Sequence, residues 1–216
     1  MSSSAPVVTL SASFGALGSV IGPRVAARLE VPFLDRAISV EVAEHLAVSV
    51  EEAEAHDDRS EHGLGRLLAS FSSVPTLGGA APAPAVRHDE REFKEETERV
   101  LRALARDGGV ILGRAGALVL AEHPGALHVR LDGPVEARVA QVVRLGGLEE
   151  PEAGRRRRDA DSARDAYVKH FYGQESADAR LYHLTLDSTA IDPGTCVELI
   201  VTAARAREGS GLRGAA

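Results

Sequence analysis

Residues 7–29 of this chain read VVTLSASFGALGSVIGPRVAARL, which predicts a strand, a glycine-rich turn and a helix in succession. Val7 to Leu10 is a short β-rich apolar run, and apolar residues return at helical spacing from Ile21 to Leu29. A turn of small residues that leads into a helix has the layout of a phosphate-binding loop, because backbone N–H groups there can meet an anion. The usual pattern G-x-x-x-x-G-K-[ST] is absent, so a plain structural turn stays open as the alternative.

Short apolar strands alternate with helices along the rest of the chain. The pattern predicts strands at 31–35, 108–114, 126–131 and 182–186, and helices at 37–46, 50–55, 93–106, 135–145, 149–172 and 195–207. This alternation indicates an α/β protein with a mostly parallel sheet that is covered by helices on both faces. Ligands bind such a sheet at the carboxyl ends of its strands, where we expect Asp35 and Arg114 to project.

The length and the pattern predict one domain, which we place at residues 6–207. The segment 56–91 interrupts the pattern with charges and then with TLGGAAPAPA at 76–85, which is too rich in glycine and proline for regular structure. We interpret this segment as a mobile insert. We expect the tails 1–5 and 208–216 to be disordered.

The composition limits the classes of partner. The chain has 32 acidic and 25 basic residues and a formal net charge of −7, which argues against a broad basic surface for nucleic acid. It contains no apolar run long enough for a membrane span and does not begin with a signal peptide, so we predict a cytoplasmic protein without a membrane partner. Cys196 is the single cysteine, and we expect a packed, unreactive thiol.

A cluster of charges at 157–164, RRDADSAR, places Arg157, Asp161 and Arg164 at i, i+4 and i+7, on one face of a predicted helix. Two guanidinium groups suit a phosphate ester, since each can bind its oxygens in a bidentate way and never loses its charge. The carboxylate between them could separate the two guanidinium groups and accept a hydrogen bond from a ligand. The alternative is a solvated helix face that carries ordinary ion pairs.

Taken together, six segments resemble the cytidylate kinase-like proteins, a branch of the P-loop nucleoside monophosphate kinases. They are SFGALGS at 13–19, AARLEVPFLD at 26–35, VILGR at 110–114, LHVRLDGPVEAR at 127–138, the charged cluster at 157–164, and LDST at 186–189. The resemblance covers nearly the whole chain. It implies a three-layer P-loop fold, an acceptor-nucleotide region at the insert 56–91, and an arginine-bearing lid at 145–175.

The resemblance also implies roles for individual residues. In this family the glycine-rich loop holds the phosphates of ATP, a role that falls here on Gly15, Ala16, Leu17, Gly18 and Ser19. Arg114 would bind the phosphate of the acceptor, and Asp35 and Arg36 would lie beside it. Arg157, Asp161 and Arg164 match the family's R-x-x-x-D-x-x-R element, which contacts the acceptor nucleotide and the transferred phosphoryl group, and Arg144 is a further lid arginine. Mg²⁺ would accompany ATP, with Ser19 as its contact directly or through water.

The implied activity is transfer of the γ-phosphoryl group of ATP to CMP or dCMP. Two positions depart from the family pattern, because Gly18 falls where an ordinary kinase of this class has its lysine and Val20 where it has a hydroxyl. Loss of one preorganised positive charge typically costs about a hundred- to a thousandfold in rate. A catalytically weak or silent nucleotide-binding module of the same fold is therefore an alternative. Phosphorylation of another small molecule is a third possibility, since a fold does not fix a substrate.

Overall fold

The computed structural model describes residues 5–35, 90–113, 115–146 and 148–209. The strands in these ranges are β1 (Val7–Ala12), β2 (Phe33–Leu34), β3 (Gly109–Leu112), β4 (Leu127–Asp132) and β5 (Leu184–Asp187). The helices are α1 (Gly18–Leu29), α2 (Glu90–Asp107), α3 (Gly116–Val119), α4 (Val135–Gly146), α5 (Glu150–Tyr172) and α6 (Pro193–Gly209), with a 3₁₀ turn at Ala179–Leu181.

The strands form one parallel sheet in the order β2-β3-β1-β4-β5. β1 lies at the centre, where Val8 is opposite Val110 of β3 and Leu127 of β4. The parallel arrangement confirms the prediction from the alternating pattern. It also brings the carboxyl ends of the strands to one edge of the sheet, so the turn after β1 lies close to the end of β4.

Apolar side chains fill both faces of the sheet. Val8 and Leu10 pack with buried residues of α1 and α6 on one face. Val7 and Ile111 pack with residues of α2 and α3 on the other face. Because successive side chains of a strand point to opposite faces, a strand that is apolar throughout is stable only between two helical layers. The α/β class with helices on both faces is confirmed.

The predicted elements agree with the described ones in kind, and their ends differ by a few residues. α2 begins at Glu90, so the last two residues assigned to the insert are helical, and α6 continues to Gly209, inside the predicted tail. The predicted helices 37–46 and 50–55 and the rest of the insert lie outside the described residues. Cys196 is fully buried in α6, as expected for a packed thiol. Among the described helices, none is long and apolar enough to cross a membrane.

Candidate functional site

The loop of residues 13–17 connects β1 to α1 and turns tightly against α4. Gly15 has a φ of 82°, and a Cβ atom there would lie 2.4 Å from the carbonyl oxygen of Arg138. Leu17 adopts a left-handed conformation with φ 58° and ψ 27°, which L-residues other than glycine rarely adopt. Helix α1 begins at the next residue. The sequence therefore folds here as a tight turn at a helix N-terminus, as the glycines predict.

Gly18, the first residue of α1, is packed against the end of β1. A Cβ atom at this position would lie 2.5 Å from the Cβ of Ala12 and 3.0 Å from a methyl group of Leu112. This is the position at which an ordinary P-loop nucleoside monophosphate kinase has its lysine. The close approach of helix and strand leaves no room for a side chain at Gly18, so this backbone could not hold a lysine there without a shift.

The loop presents backbone donors. Within the described ranges, the N–H groups of Gly15, Leu17, Gly18 and Ser19 have no protein acceptor. The N–H groups of the first helical turn carry a partial positive charge, which attracts an anion. Ala16 differs, since its N–H donates to the carbonyl of Ser13 at 2.9 Å. Four of the five residues predicted to bind phosphate thus offer an available N–H group.

Asp161 joins helix α5 to this loop. Its Oδ1 accepts hydrogen bonds from the backbone N–H of Phe14 and from Nη1 of Arg164, both at 2.9 Å, and its Oδ2 accepts one from Nη1 of Arg138 at 2.9 Å. Burial alone would raise the pKa of Asp161, but these three donors hold the pKa below its usual range. The carboxylate therefore stays ionised and holds helix α5 against the loop.

This pairing differs from the arrangement expected of the Arg157, Asp161 and Arg164 cluster. The guanidinium groups that contact Asp161 belong to Arg164 and Arg138, and both carboxylate oxygens accept bonds from the protein. Arg157 instead lines an open cleft between α4 and α5, which Arg144 also lines. The buried Nε of Arg157 has no hydrogen-bond partner within the described ranges. The structure thus places Asp161 and Arg164 at the loop, and Arg144 and Arg157 together in the neighbouring cleft.

Some of the residues predicted to bind the acceptor lie outside the part of the chain that the structure describes. Arg114 and Arg36 are not among the described residues. Asp35 is described and follows β2 directly. β2 pairs with β3 through Leu34, which lies opposite Ile111. The N–H of Gly113, the residue before Arg114, donates to the carbonyl of Leu10 in β1 at 2.8 Å. Asp35 and Gly113 are therefore on the same edge of the sheet as the loop.

The sequence did not identify two arginines of the site, the half-buried Arg130 and the buried Arg138. Arg130 in β4 bonds Asp132 through Nη2 at 2.8 Å and through Nε at 3.1 Å, and its Nη2 lies 3.3 Å from the hydroxyl of Ser13. Arg138 in α4 has only 5% of its surface exposed and donates to the carbonyls of Phe14 and Gly133. The sequence could have indicated Arg130, because residues 130 and 132 are two positions apart and therefore share one face at the carboxyl end of a strand.

These ion pairs keep the site charged over a wide pH range. Burial works against the charged forms of Arg130 and Asp132, but their mutual hydrogen bonds raise the pKa of the arginine and lower that of the carboxyl. Asp161 is likewise ionised. Among the described residues, the guanidinium groups of Arg130, Arg138 and Arg164 thus pair with the carboxylates of Asp132 and Asp161 around the loop.

Ser19 is the predicted contact for Mg²⁺. It lies exposed in the first turn of α1, and its hydroxyl has no protein partner within the described ranges. Among the described residues, no group of three His, Cys, Asp or Glu side chains could hold a metal ion. Mg²⁺ keeps most of its waters and binds nucleotides through phosphates with one or two protein oxygens. A single hydroxyl at the loop therefore fits an ion that is held mainly by ATP.

Comparison with known proteins relates these features to a family. A family model described as the cytidylate kinase-like family matches residues 7–190. The chain is 30% identical over 143 residues to the uronate isomerase of Corynebacterium glutamicum, which covers 66% of this chain and 27% of that protein. It is 32% identical over 113 residues to the cytidylate kinase of Methanopyrus kandleri, which covers 48% of this chain and 58% of that protein. The chain thus spans less than two thirds of either relative.

A solved structure supports the fold. The crystal structure of an uncharacterized protein from Eubacterium ventriosum superposes with a TM-score of 0.65, at 15% sequence identity, and covers 93% of this chain and 98% of that one. The family match itself runs from β1 through the loop and the whole of α5 to residue 190. On that match, and as its motifs predict, the chain belongs to the cytidylate kinase-like family.

Proposed function

We propose that this chain is a nucleoside monophosphate kinase that transfers the γ-phosphoryl group of ATP to CMP or dCMP. The observation that carries the proposal is the contact of helix α5 with the loop, in which Asp161 accepts hydrogen bonds from Phe14 and Arg164. This contact brings a permanent positive charge to a turn with available N–H groups. Phosphoryl transfer asks a protein mainly to align the two substrates and to neutralise negative charge.

The donor would bind at the loop. The N–H groups of Gly15, Leu17, Gly18 and Ser19 would hold the ATP phosphates, with Ala16 as part of the same turn. Bound together with ATP, Mg²⁺ would neutralise phosphate charge, and Ser19 would contact it directly or through water. Arg164 would supply the charge that the missing lysine supplies in ordinary kinases of this class. The cytoplasm, which supplies ATP, is the compartment in which we expect the reaction.

The acceptor would bind beside the ends of β2 and β3. Arg114 would hold its phosphate, with Asp35 and Arg36 alongside, because these positions follow neighbouring parallel strands. Arg144 and Arg157 would approach from the cleft between α4 and α5 when the lid closes. CMP and dCMP are the proposed acceptors because the family is cytidylate kinase-like and the relative from Methanopyrus kandleri is a cytidylate kinase.

A second candidate function is a nucleotide-binding module with little or no turnover. The packing at Gly18 favours it, since the described loop carries no side-chain cation and leaves no space for one at Gly18. Such a module would keep the acceptor pocket and would use nucleotide occupancy to order the lid for a partner.

Turnover measurements on the purified chain separate the two candidates. With Mg²⁺-ATP and each of CMP, dCMP, UMP, AMP and GMP, we expect diphosphate to form with CMP or dCMP at a rate that Arg164→Ala reduces about a thousandfold. Arg114→Ala should reduce it comparably. Arg156→Ala is the matched control, because Arg156 lies in the same helix, is mostly exposed and pairs only with Glu152 there. It should turn over at the rate of the unaltered chain.

Absence of diphosphate above the level of the Arg114→Ala and Arg164→Ala variants would refute the kinase. The binding module makes a different prediction, which thermal unfolding tests. CMP would raise the melting temperature while ATP would not, since only the acceptor pocket would be intact. Equal shifts with both nucleotides would count against the module.

A further inference from the structure

We propose that Arg138, Gln141 and Ser188 act as a carbonyl clamp that holds the loop in its phosphate-binding form. Three consecutive carbonyl groups of the loop each accept a hydrogen bond from one member of the clamp. Phe14 accepts from Nη1 of Arg138 at 2.7 Å, Gly15 from Nε2 of Gln141 at 2.8 Å, and Ala16 from Oγ of Ser188 at 2.9 Å. The inference rests on the proposed binding of ATP phosphates at the loop.

The clamp residues are too deeply buried to be ligand contacts. Their exposed fractions are 5% for Arg138, 4% for Gln141 and 1% for Ser188. They are also joined to one another, since Nε2 of Gln141 lies 3.4 Å from the carbonyl of Ser188. Arg138 is anchored further by its bonds to Gly133 and Asp161. These side chains therefore act on a ligand only through the backbone of the loop, as positioning residues.

Holding the carbonyls fixes the direction of the N–H groups. Each peptide unit is planar and carries its C=O and N–H on opposite sides, so a carbonyl that points to the clamp turns the following N–H away from it. The N–H groups of Gly15 and Leu17, which follow the clamped carbonyls of Phe14 and Ala16, are among those without a protein acceptor. The clamp thus leaves backbone donors available for an anion.

The conformation of Leu17 shows that the loop needs such support. A left-handed backbone is unfavourable for leucine and persists only where the surrounding structure imposes it. The peptide that precedes Leu17 is the one held by Ser188 through the carbonyl of Ala16. Because this loop lacks a lysine, phosphate binding depends on backbone donors, and their direction matters more than in a loop with its own cation.

Titration calorimetry of ATP and of CMP with the full chain tests the clamp. Ser188→Ala deletes one oxygen atom and Gln141→Leu one amide group, and each should weaken ATP binding about fivefold or more, the loss of one hydrogen bond. The double variant should weaken it by about thirtyfold. CMP binding by Ser188→Ala should stay within about twofold, because the hydroxyl of Ser188 bonds only the backbone carbonyls of Ala16 and Asp132 among the described residues, whereas Gln141 also accepts a hydrogen bond from Arg144 at 3.4 Å. If Gln141→Leu does not fold, Ser188→Ala alone carries the test.

Thr9→Val is the matched control. It removes a buried hydroxyl that lies 2.8 Å from Nδ1 of His128, on the same strand that leads into the loop, without touching the clamp. It should lower the melting temperature as much as Ser188→Ala while the ATP dissociation constant stays unchanged. Equal ATP affinity in Thr9→Val, Ser188→Ala and Gln141→Leu would overturn the clamp, and so would parallel losses of ATP and CMP affinity in Ser188→Ala.

The outcomes separate the clamp from the proposed kinase activity. If the unaltered chain binds ATP but forms no diphosphate, while the clamp variants lose ATP affinity, the kinase fails and the clamp stands. If turnover is present and the clamp variants bind ATP normally, the clamp fails alone. If the unaltered chain binds neither ATP nor ADP, both proposals are refuted.

Discussion

Mild acid should destabilise this protein through His128, a buried side chain in β4. Its Nδ1 lies 2.8 Å from the hydroxyl of Thr9, and its ring stacks on that of His183 with centroids 4.9 Å apart. Burial lowers the pKa of His128 from 6.5 to about 4, helped by the charges of His183, Arg207 and His123. The folded protein therefore keeps His128 neutral at a pH where the unfolded chain protonates it.

The direction and size of the effect follow from this difference. The pKa of His128 is lower in the folded protein than in the unfolded chain. The contribution of neutral His128 to the free energy of unfolding is therefore complete above pH 6.5 and is lost as the pH falls towards 4. The two pKa values of His128 differ by roughly 2.5 units, which corresponds to about 3 kcal/mol of unfolding free energy at 1.36 kcal/mol for each unit. The pKa of His183 is lowered as well, by burial and by Arg207, so it adds to the loss in the same range.

Urea denaturation at 25 °C, from pH 7.5 to pH 4.5, measures the effect. The free energy of unfolding should fall by about 2 to 3 kcal/mol or more over this range. His128→Asn keeps an acceptor for Thr9 without a titratable ring, and its unfolding free energy should fall much less. His170→Gln, a change at an exposed histidine of α5, should follow the unaltered chain. Equal losses in His128→Asn and in the unaltered chain would refute the reasoning.

Two further substitutions test the site directly. Gly18→Lys introduces the lysine of an ordinary P-loop nucleoside monophosphate kinase. It should cost about 1 to 3 kcal/mol and give no gain in ATP affinity, because its Cβ would lie 2.5 Å from that of Ala12. Ser19→Lys, at the exposed neighbouring position, is its control in denaturation. Tighter ATP binding by a stable Gly18→Lys would contradict the packing argument. Asp161→Asn keeps an acceptor for Phe14 but removes the charge that pairs with Arg138 and Arg164, so it should cost about 1 to 3 kcal/mol at pH 7. The pKa of Asp161 in the folded protein lies below its usual value near 3.8, so the cost of Asp161→Asn should shrink as the pH falls below 3.8. A cost that stays constant down to about pH 2 would show that charge pairing is not its origin.

Periodicity was sufficient to predict most of the described fold. Strands β1, β3, β4 and β5 are apolar runs bounded by turns, and α1, α2, α4, α5 and α6 are long enough to show helical spacing. α3 has four residues, fewer than the two turns that make a period visible, and it was not predicted. The strand order could not be predicted from the pattern, because a parallel strand can join either side of a sheet, and only the tertiary structure shows which side it joins.

The local sequence was sufficient to predict where some residues of the candidate site lie, while their roles stay predictions. The loop follows from its glycines and from the helix after it, and the R-x-x-x-D-x-x-R spacing places Arg164 beside Asp161. The contacts of Asp161 with Phe14 and Arg138 span 147 and 23 residues of sequence, so spacing within the helix could not show them. Arg138 was missed because arginine is usually exposed, and only its buried carboxylate and carbonyl partners explain its burial.

The arginines and carboxylates of the site have a consequence for its pH dependence. An arginine cannot lose its proton in the physiological range, and the carboxyl pKa values of Asp132 and Asp161 are both lowered. Within the described ranges, no histidine shares a hydrogen bond with the loop. A phosphate monoester, by contrast, loses its second proton near pH 6. In the proposed reaction, a loss of turnover near pH 6 that precedes any loss of folded protein would therefore reflect protonation of the nucleotides, because Asp132, Asp161 and their arginine partners keep their charges there.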